Sequence, residues 1–369
     1  MGLQTRQKLF SLGPIFAIAY PNPTASCTRF LYLPPMRIAH VLLTHSFAGS
    51  ERHAIELANA QAKTNEVAVV LHERGSEDRP DAIAHRLDPA VKRIVVGGWR
   101  WFAERSAKQE LLAWRPEIVH AHLGGGCRVA AALPAPIKRL ATLHIAYKRA
   151  QHAKLDGVIA IAPWQLDAIP AGQRRVQIDN WVRPASPAPD ERERLRREHA
   201  IAPDAFLIGA LGRAEASKGW DELIEAFEAA NLGEGVRLAI VGGGRDWKRL
   251  RSKAPKDIVM PGFVARPQDW FAGFDAFVSA ARSEPFGLVF LEAMSAGPPI
   301  LATASQGASH LQALIERPLP PVRDVQALAQ ALRALVAERP ARRAYALERF
   351  SADARIAEVQ AFYEALMAH

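Results

Sequence analysis

The chain has almost no cysteine. Cys27 and Cys127 are the only two in 369 residues. They lie in unlike contexts, and no CxxC pair or Cys/His cluster accompanies them. A disulfide scaffold and a zinc module are therefore unsupported, and a reducing compartment fits. Long apolar runs are also missing, and none approaches the roughly 18 residues that a membrane span requires. The short apolar stretch Phe10 to Tyr20 is interrupted by Pro14. Flanked by Arg6, Lys8 and Pro23 to Cys27, it has a faint look of a signal peptide. The reading preferred here starts the mature fold at the strand-like Met36 to Leu43, which leaves residues 1–35 as a disordered leader or a spurious upstream extension. No Asp-x-Asp pair for a divalent cation occurs, and no short repeat or low-complexity tract. Negative charge is scarce in one half only. Up to Pro184 there are 24 Lys/Arg against 14 Asp/Glu, and beyond it 23 against 24, which together give the net charge of +9. A basic first half suits an anionic substrate or an anionic membrane surface, and equally a merely solvated face. Nothing beyond charge points to nucleic acid, and none is expected.

What is present is ordinary globular composition, 49% hydrophobic and 23% charged, in a chain too long for one core. Cores stop growing near about 250–300 residues. Short apolar segments alternate with amphipathic ones: Arg37 to Thr44, Glu66 to Leu71, Val91 to Val96, Ile118 to His122, Ile137 to His144 and Asp156 to Ala160 read as strands. Ser50 to Ala62 and Phe102 to Trp114 read as helices, with Ser50 as the cap of the first. The rhythm restarts after a Pro-rich junction within Asn180 to Asp190. There Ala205 to Leu211, Val236 to Val241, Ile258 to Gly262, Ala276 to Ala280 and Ile300 to Ala304 are strands. Gly219 to Ala230, Leu288 to Ala296, Val325 to Ala337, Ala341 to Phe350 and Ala354 to Ala368 are helices. Alternation of this kind predicts two doubly wound parallel sheets, and such sheets bind ligands beyond the carboxyl ends of their strands. The expected division is 36–184, 185–350 and a last helix at 351–369.

The most informative segment runs from Phe277 to Met294. A strand ends, a polar loop carries Glu284, Pro285 and Phe286, and a helix opens at Gly287. Glu292 follows Glu284 by eight residues, just over two helical turns, so both carboxylates can share one side. Carboxylates accept hydrogen bonds only, which suits hydroxyl-rich ligands. The N–H groups of Gly287, Leu288 and Val289 are unpaired at such a helix start and suit an anion. A second strand-loop-helix, Gly212 to Phe227, sets Arg213 and Lys218 ahead of Gly219. Two cations beside a helix N-terminus suit a diphosphate.

Together with Ala296 to Thr303, the first segment closely resembles the Glu-x7-Glu motif of the retaining glycosyltransferases of the family 4 group, which have the two-lobed GT-B fold. The resemblance spans about Arg37 to the C-terminus. It implies that Glu284 contacts the donor sugar, that Glu292 holds the ribose, and that Arg213 and Lys218 neutralise the departing diphosphate without a metal or any other cofactor. It places Gly49, Gly212, Gly243, Phe263, Phe286, Gly287 and Leu288 around the donor and His122 at the transferred sugar, so that His122, Arg213, Lys218 and Glu284 form the expected catalytic set. The resemblance also implies that the last helix crosses back onto the first domain. His144 and Lys148 fall on the acceptor side, and Trp99 and Arg105 at its edge. By spacing alone, His120 and His122 share a strand face, but no third metal ligand stands out. The triplet Gly124 to Gly126 reads as close backbone approach or a mobile loop. The Trp99 to Phe102 cluster reads as the edge of a buried aromatic core, with an exposed aromatic-basic patch for lipid acceptors as the rival. The function implied is metal-independent, retaining transfer from a UDP-, GDP- or ADP-sugar to a glycan or lipid-linked acceptor. The setting is cytoplasmic, extending to peripheral contact with the inner face of the membrane. A nucleotide-sugar epimerase, a sugar phosphorylase and a non-catalytic sugar-nucleotide-binding protein are the alternatives.

Overall fold

The computed structural model describes residues 35–184 and 187–368. The leader read into residues 1–35 lies outside them, Pro35 apart. Seven parallel strands form the first sheet: β1 (Arg37–Leu42), β2 (Glu66–His72), β3 (Lys92–Val96), β4 (Ile118–His122), β5 (Lys138–Leu143), β6 (Gly157–Ala160) and β7 (Arg174–Gln177). Five build the second: β8 (Phe206–Leu211), β9 (Val236–Val241), β10 (Val259–Gly262), β11 (Ala276–Ser279) and β12 (Ile300–Ala302). The spatial orders are β3-β2-β1-β4-β5-β6-β7 and β10-β9-β8-β11-β12. Each order reverses direction once, between β1 and β4 and between β8 and β11. Crevices open at such reversals because neighbouring crossovers leave on opposite faces.

The central strands are Val-, Ile- and Leu-rich and almost wholly buried, because helices cover both faces of each sheet, while the edge strands β3 and β7 are largely exposed or half-buried. The helix Ala352–Met367 lays Val359, Tyr363 and Leu366 into the core of the first sheet, beside Ile38 and Leu140. Just before it, Val182 N–H donates to Phe350 O (3.1 Å). No helix among the described residues is long and apolar enough to cross a membrane.

Four local expectations are corrected. The first helix is Gly49–Gln61 and its cap is Ala48, not Ser50. The Glu51 carboxylate reaches back to accept the Ala48 N–H (3.1 Å), and the same oxygen accepts the Ser50 hydroxyl (3.0 Å). Gly124 to Gly126 is no mobile loop but the start of the helix Leu123–Ala131. A Cβ on Gly126 would lie 2.5 Å from Val41 O, so glycine lets this helix press onto β1. Residues 341–347 are not helical. Arg343 N–H bonds Gly297 O (2.9 Å) and the Arg342 guanidinium bonds Phe271 O and Phe274 O. These contacts draw the segment out along the second lobe and override its helical composition. Finally, Trp99, Trp101 and Phe102 edge no core; all three are exposed, Trp99 at 89%.

Candidate functional site

The second lobe builds a cradle from the carboxyl ends of β8, β9, β10 and β11. After β8, Gly212 and Arg213 lead into a short 3-10 turn, Ala216–Lys218, and Gly219 starts the helix Trp220–Ala230 at φ +60°. A Cβ there would sit 2.1 Å from Ala280 O, so only glycine lets this loop cross the end of β11. Arg282 fastens the two loops, bonding Glu222 (2.7 Å) and Asp221 (2.9 Å). The fastening brings Lys218 Nζ to Glu284 Oε2 at 2.5 Å, with side chains 21% and 13% exposed. The Lys218 stem lies over Gly212. Gly287, at φ +86°, opens the helix Leu288–Ala296 beside them. From β9, the turn Gly242–Gly244 is pinned by Gly243 O accepting the Ala214 N–H (2.8 Å) and by Gly242 N–H donating to Gly262 O (2.9 Å). Phe263 follows Gly262, packs on Gly243 and is 59% exposed. Arg213 is 66% exposed and 3.7 Å from Glu215. Phe286 does not belong to the cradle surface. Its ring is buried edge-on to Phe350 with centroids 6.2 Å apart, so only its backbone can meet a ligand.

Glu292 faces the other lobe. Its carboxylate takes a charge-assisted hydrogen bond from Arg52 Nη2 of the helix Gly49–Gln61. Burial pushes the Glu292 carboxyl above its ordinary value, and Arg52 pulls it back. Arg52 also lies 3.7 Å from Glu56, which accepts from Trp181 Nε1 (2.7 Å). Nearby, Leu288 Cδ1 would lie 3.3 Å from a Cβ on Gly49, and Trp164 Nε1 donates to Pro285 O (2.8 Å). The two lobes thus meet along one line. Arg52, Glu56 and Trp181 were invisible to sequence reasoning, because Arg52 and Glu292 stand 240 residues apart. Replacing Arg52 by Ala strips a largely buried carboxylate of its cation. The expected cost is about 1–2 kcal/mol, since both side chains keep some water, read as a melting temperature a few degrees lower and partly recovered in Arg52→Lys.

The first lobe contributes histidines. His40 on β1 sits opposite His120 on β4 in the parallel register, and His122 lies one strand pleat further along. His122 is fully buried, 3.1 Å from His40 and 3.0 Å from His144. His120 is satisfied by Tyr363 OH (2.6 Å) and Thr142 Oγ1 (2.8 Å). Burial, with neighbouring imidazoles adding to it, holds His53, His120 and His122 well below the ordinary imidazole value. A third imidazole that spacing failed to reveal is present in space: nitrogens of His40, His120 and His122 lie within 4.8 Å of one another. Strand neighbours 80 residues apart leave no spacing signature.

In the first lobe, a cavity of about 740 Å³ opens beyond β1, β2 and β3. His45, His72, Arg74, Trp99, Arg100 and Arg128 are among its walls. Of the expected acceptor residues only Trp99 lines it. Arg105 lies outside, over the Trp101 ring at 5.7 Å, and His144 and Lys148 sit on the β5 side. The Tyr147 hydroxyl is spent on Gln173 (2.8 Å).

Two parallel Rossmann-like sheets with strand-end loops facing across a cleft define the GT-B class. The solved structure of Anabaena HepE in complex with UDP and glucose superposes with a TM-score of 0.74 at 19% identity, over 89% of this chain and 100% of that one. The lipopolysaccharide biosynthesis glycosyltransferase WaaG does so at 0.66 and 17%, over 89% and 95%. Residues 47–204 match the family described as Glycosyltransferase Family 4, and residues 205–338 the family described as Glycosyl transferases group 1. The chain is a GT-B-fold protein related to these glycosyltransferase families. Mannosylfructose-phosphate synthase of Agrobacterium fabrum is 31% identical over 41% of this chain and 38% of its own length. The D-inositol 3-phosphate glycosyltransferase of Xylanimonas cellulosilytica is 31% identical over 39% and 36%. This chain therefore spans under two fifths of those two relatives. The lipopolysaccharide core biosynthesis glycosyltransferase LpsD of Rhizobium meliloti is 26% identical over 74% of this chain and 80% of its own.

Proposed function

We propose that the protein transfers a sugar from a nucleoside-diphosphate sugar to a glycan or lipid-linked acceptor, with retention at the anomeric carbon and without a metal. The observation that carries this reading is the ion pair Lys218–Glu284 at the open start of the helix Leu288–Ala296, with Glu292 further along the same helix. The solved structure of Anabaena HepE, which holds UDP and glucose, supports the donor class. In the transfer, the anomeric C–O bond to the diphosphate breaks as the acceptor oxygen bonds the same face, and the acceptor proton leaves on the departing phosphate. Negative charge grows on the diphosphate, where Lys218, Arg213 and the helix N–H groups stabilise it. Glu284 accepts from sugar hydroxyls. Glu292 serves the ribose once the nucleotide displaces Arg52. Closure of the lobes excludes water.

The acceptor lies in the cavity by Trp99, whose exposed ring offers a stacking face. Arg74 and Arg100 have no carboxylate partner among the described residues. The imidazole of His45 is pulled below its ordinary value by burial and then by His72, Arg74 and Arg79, a sign of positive potential. This field favours an acceptor bearing phosphate or carboxylate. Arg74→Ala with Arg100→Ala is expected to raise the acceptor KM about tenfold and to flatten its salt dependence, with the donor KM unchanged. Trp101, Phe102, Arg105 and Lys108 continue the surface outward and suit peripheral contact with anionic lipid on the cytoplasmic side, and the free buried Cys127 fits a reducing compartment.

The deciding experiment incubates the protein with isotope-labelled UDP-, GDP- and ADP-sugars and acceptor glycans, and reads product configuration from the anomeric proton coupling. An inverted product overturns retention. Donor binding without turnover reduces the protein to a sugar-nucleotide binder, and turnover without acceptor favours an epimerase.

A further inference from the structure

The first lobe holds a file of hydrogen-bonded imidazoles that the transfer just described does not use. It starts at half-buried His144, whose Nε2 lies 3.0 Å from His122 Nδ1. It continues from His122 Nε2 to His40 Nδ1 (3.1 Å) and ends where His40 Nε2 meets Gln61 Oε1 at 2.8 Å. His40, His122 and Gln61 are buried. A neutral imidazole has one donor nitrogen and one acceptor nitrogen. Burial keeps all three rings neutral, so the file has a direction. The Gln61 carbonyl oxygen can only accept, which places the His40 proton on Nε2. His40 Nδ1 then accepts, placing the His122 proton on Nε2. His122 Nδ1 accepts in turn, placing the His144 proton on Nε2. What remains is His144 Nδ1, a bare lone pair without a partner among the described residues, just past the carboxyl end of β5.

A second observation marks the same spot. His53 is 5% exposed, yet neither of its ring nitrogens makes a well-formed hydrogen bond among the described residues; the Asn180 side chain lies near enough to act on it, and Asn180 Oδ1 is itself unpartnered. Its ring stands edge-on to His144 at 5.1 Å and lies against Trp181 at 4.1 Å. A polar ligand seated at His144 would also give this imidazole a partner, and an unpaired buried polar group is costly.

A metal bound by His40, His120 and His122 is the competing explanation for the cluster. The geometry disfavours it. Both His120 nitrogens are engaged by Tyr363 and Thr142. The His120 and His122 rings also stack at 4.4 Å with 25° between planes, so their in-plane lone pairs run side by side instead of converging.

We propose that Gln61 and His40 are positioning residues that fix the tautomer of His144, so that the cleft presents a bare Nδ1 acceptor to a hydroxyl group of the ligand. That this hydroxyl belongs to a sugar acceptor rests on the proposed function; the tautomer file does not. The test uses the full chain, 15N-labelled, with two-bond 1H–15N spectra of the histidines assigned through His144→Gln. Wild type is expected to show the Nε2–H pattern at His40, His122 and His144. Gln61→Met removes the terminal acceptor and is expected to turn His144 into a mixture of tautomers, whereas Gln61→Glu keeps the single form. In transfer assays Gln61→Met should raise the acceptor KM about fivefold, the worth of one neutral hydrogen bond, with donor KM unchanged and Gln61→Glu restoring it. An Nδ1–H His144 in wild type overturns the proposal. So does an unchanged single tautomer in Gln61→Met, or stoichiometric metal in the purified protein. If Gln61→Met does not fold, the wild-type spectrum decides. Directed tautomers in a protein without transferase activity would leave the file standing and remove the proposed function alone.

Discussion

Lys218→Ala is expected to lower kcat by about 10²–10³, the effect of removing one preorganised charge from a transition state that gathers negative charge on its leaving group. The loss should fall on kcat more than on donor KM, because the diphosphate acquires its extra charge only as the sugar leaves. Glu284→Gln tests the other half of the pair. It keeps shape, removes the charge and leaves Lys218 to the phosphates, so donor affinity should hold while sugar positioning weakens. The structure supplies a control for folding. Lys218 and Glu284 are partnered in a largely buried pair, so either single change leaves a charge uncompensated and the double change leaves none. Thermal melts should therefore show the double variant less destabilised than the two single losses summed, while its kcat stays as low as that of Lys218→Ala. Wild-type kcat in Lys218→Ala would remove this residue from the chemistry.

The second large effect is a steep loss of stability in mild acid. His40 is fully buried and its pKa is lowered from 6.5 to about 4 by that burial. His53, His120 and His122 are shifted the same way. In the unfolded chain these rings take up protons below about pH 6.5, while in the folded chain His40 stays neutral until about pH 4 is approached and burial holds His53, His120 and His122 neutral well below the ordinary imidazole value. The unfolded state thus binds more protons across that window, and stability rises with pH there. It is complete above the unfolded value, drains as pH falls below 6.5, and levels off below the folded value. Each such ring contributes about 1.4 kcal/mol per pH unit, and His40 alone roughly 3 kcal/mol over the window. Urea melts between pH 7.5 and 4.5 should show a slope of several protons. His40→Gln, which can keep a contact to Gln61, should flatten it by about one. A slope unaffected by His40→Gln would place the acid sensitivity elsewhere.

How far the site could be read from sequence depended on chain distance. The helix Leu288–Ala296, its opening at Gly287 and the spacing of Glu284 and Glu292 lie within one short segment, where periodicity and a positive-φ glycine leave local traces. Lys218 was legible for the same reason. Phe286 stood in that segment too, yet its ring turned into the core because Phe350, 64 residues onward, offers it an apolar face. The exposed Trp99–Phe102 cluster went the other way. Aromatic composition marks burial on average, but no helix or sheet of the described residues covers this corner.

The sequence by itself determined the two alternating strand-helix halves, the Pro-rich passage between them and the cationic and carboxylate loops at strand ends. These features arise from backbone preferences and side-chain periods that act over a few residues. Only the tertiary structure decided that Arg52 meets Glu292, that Gln61 terminates a line of imidazoles, and that residues 341–347 give up a helix to bond the second lobe. Parallel sheets pair strands far apart in the chain, so the partners of a buried charge or ring are chosen by packing, which no local spacing records.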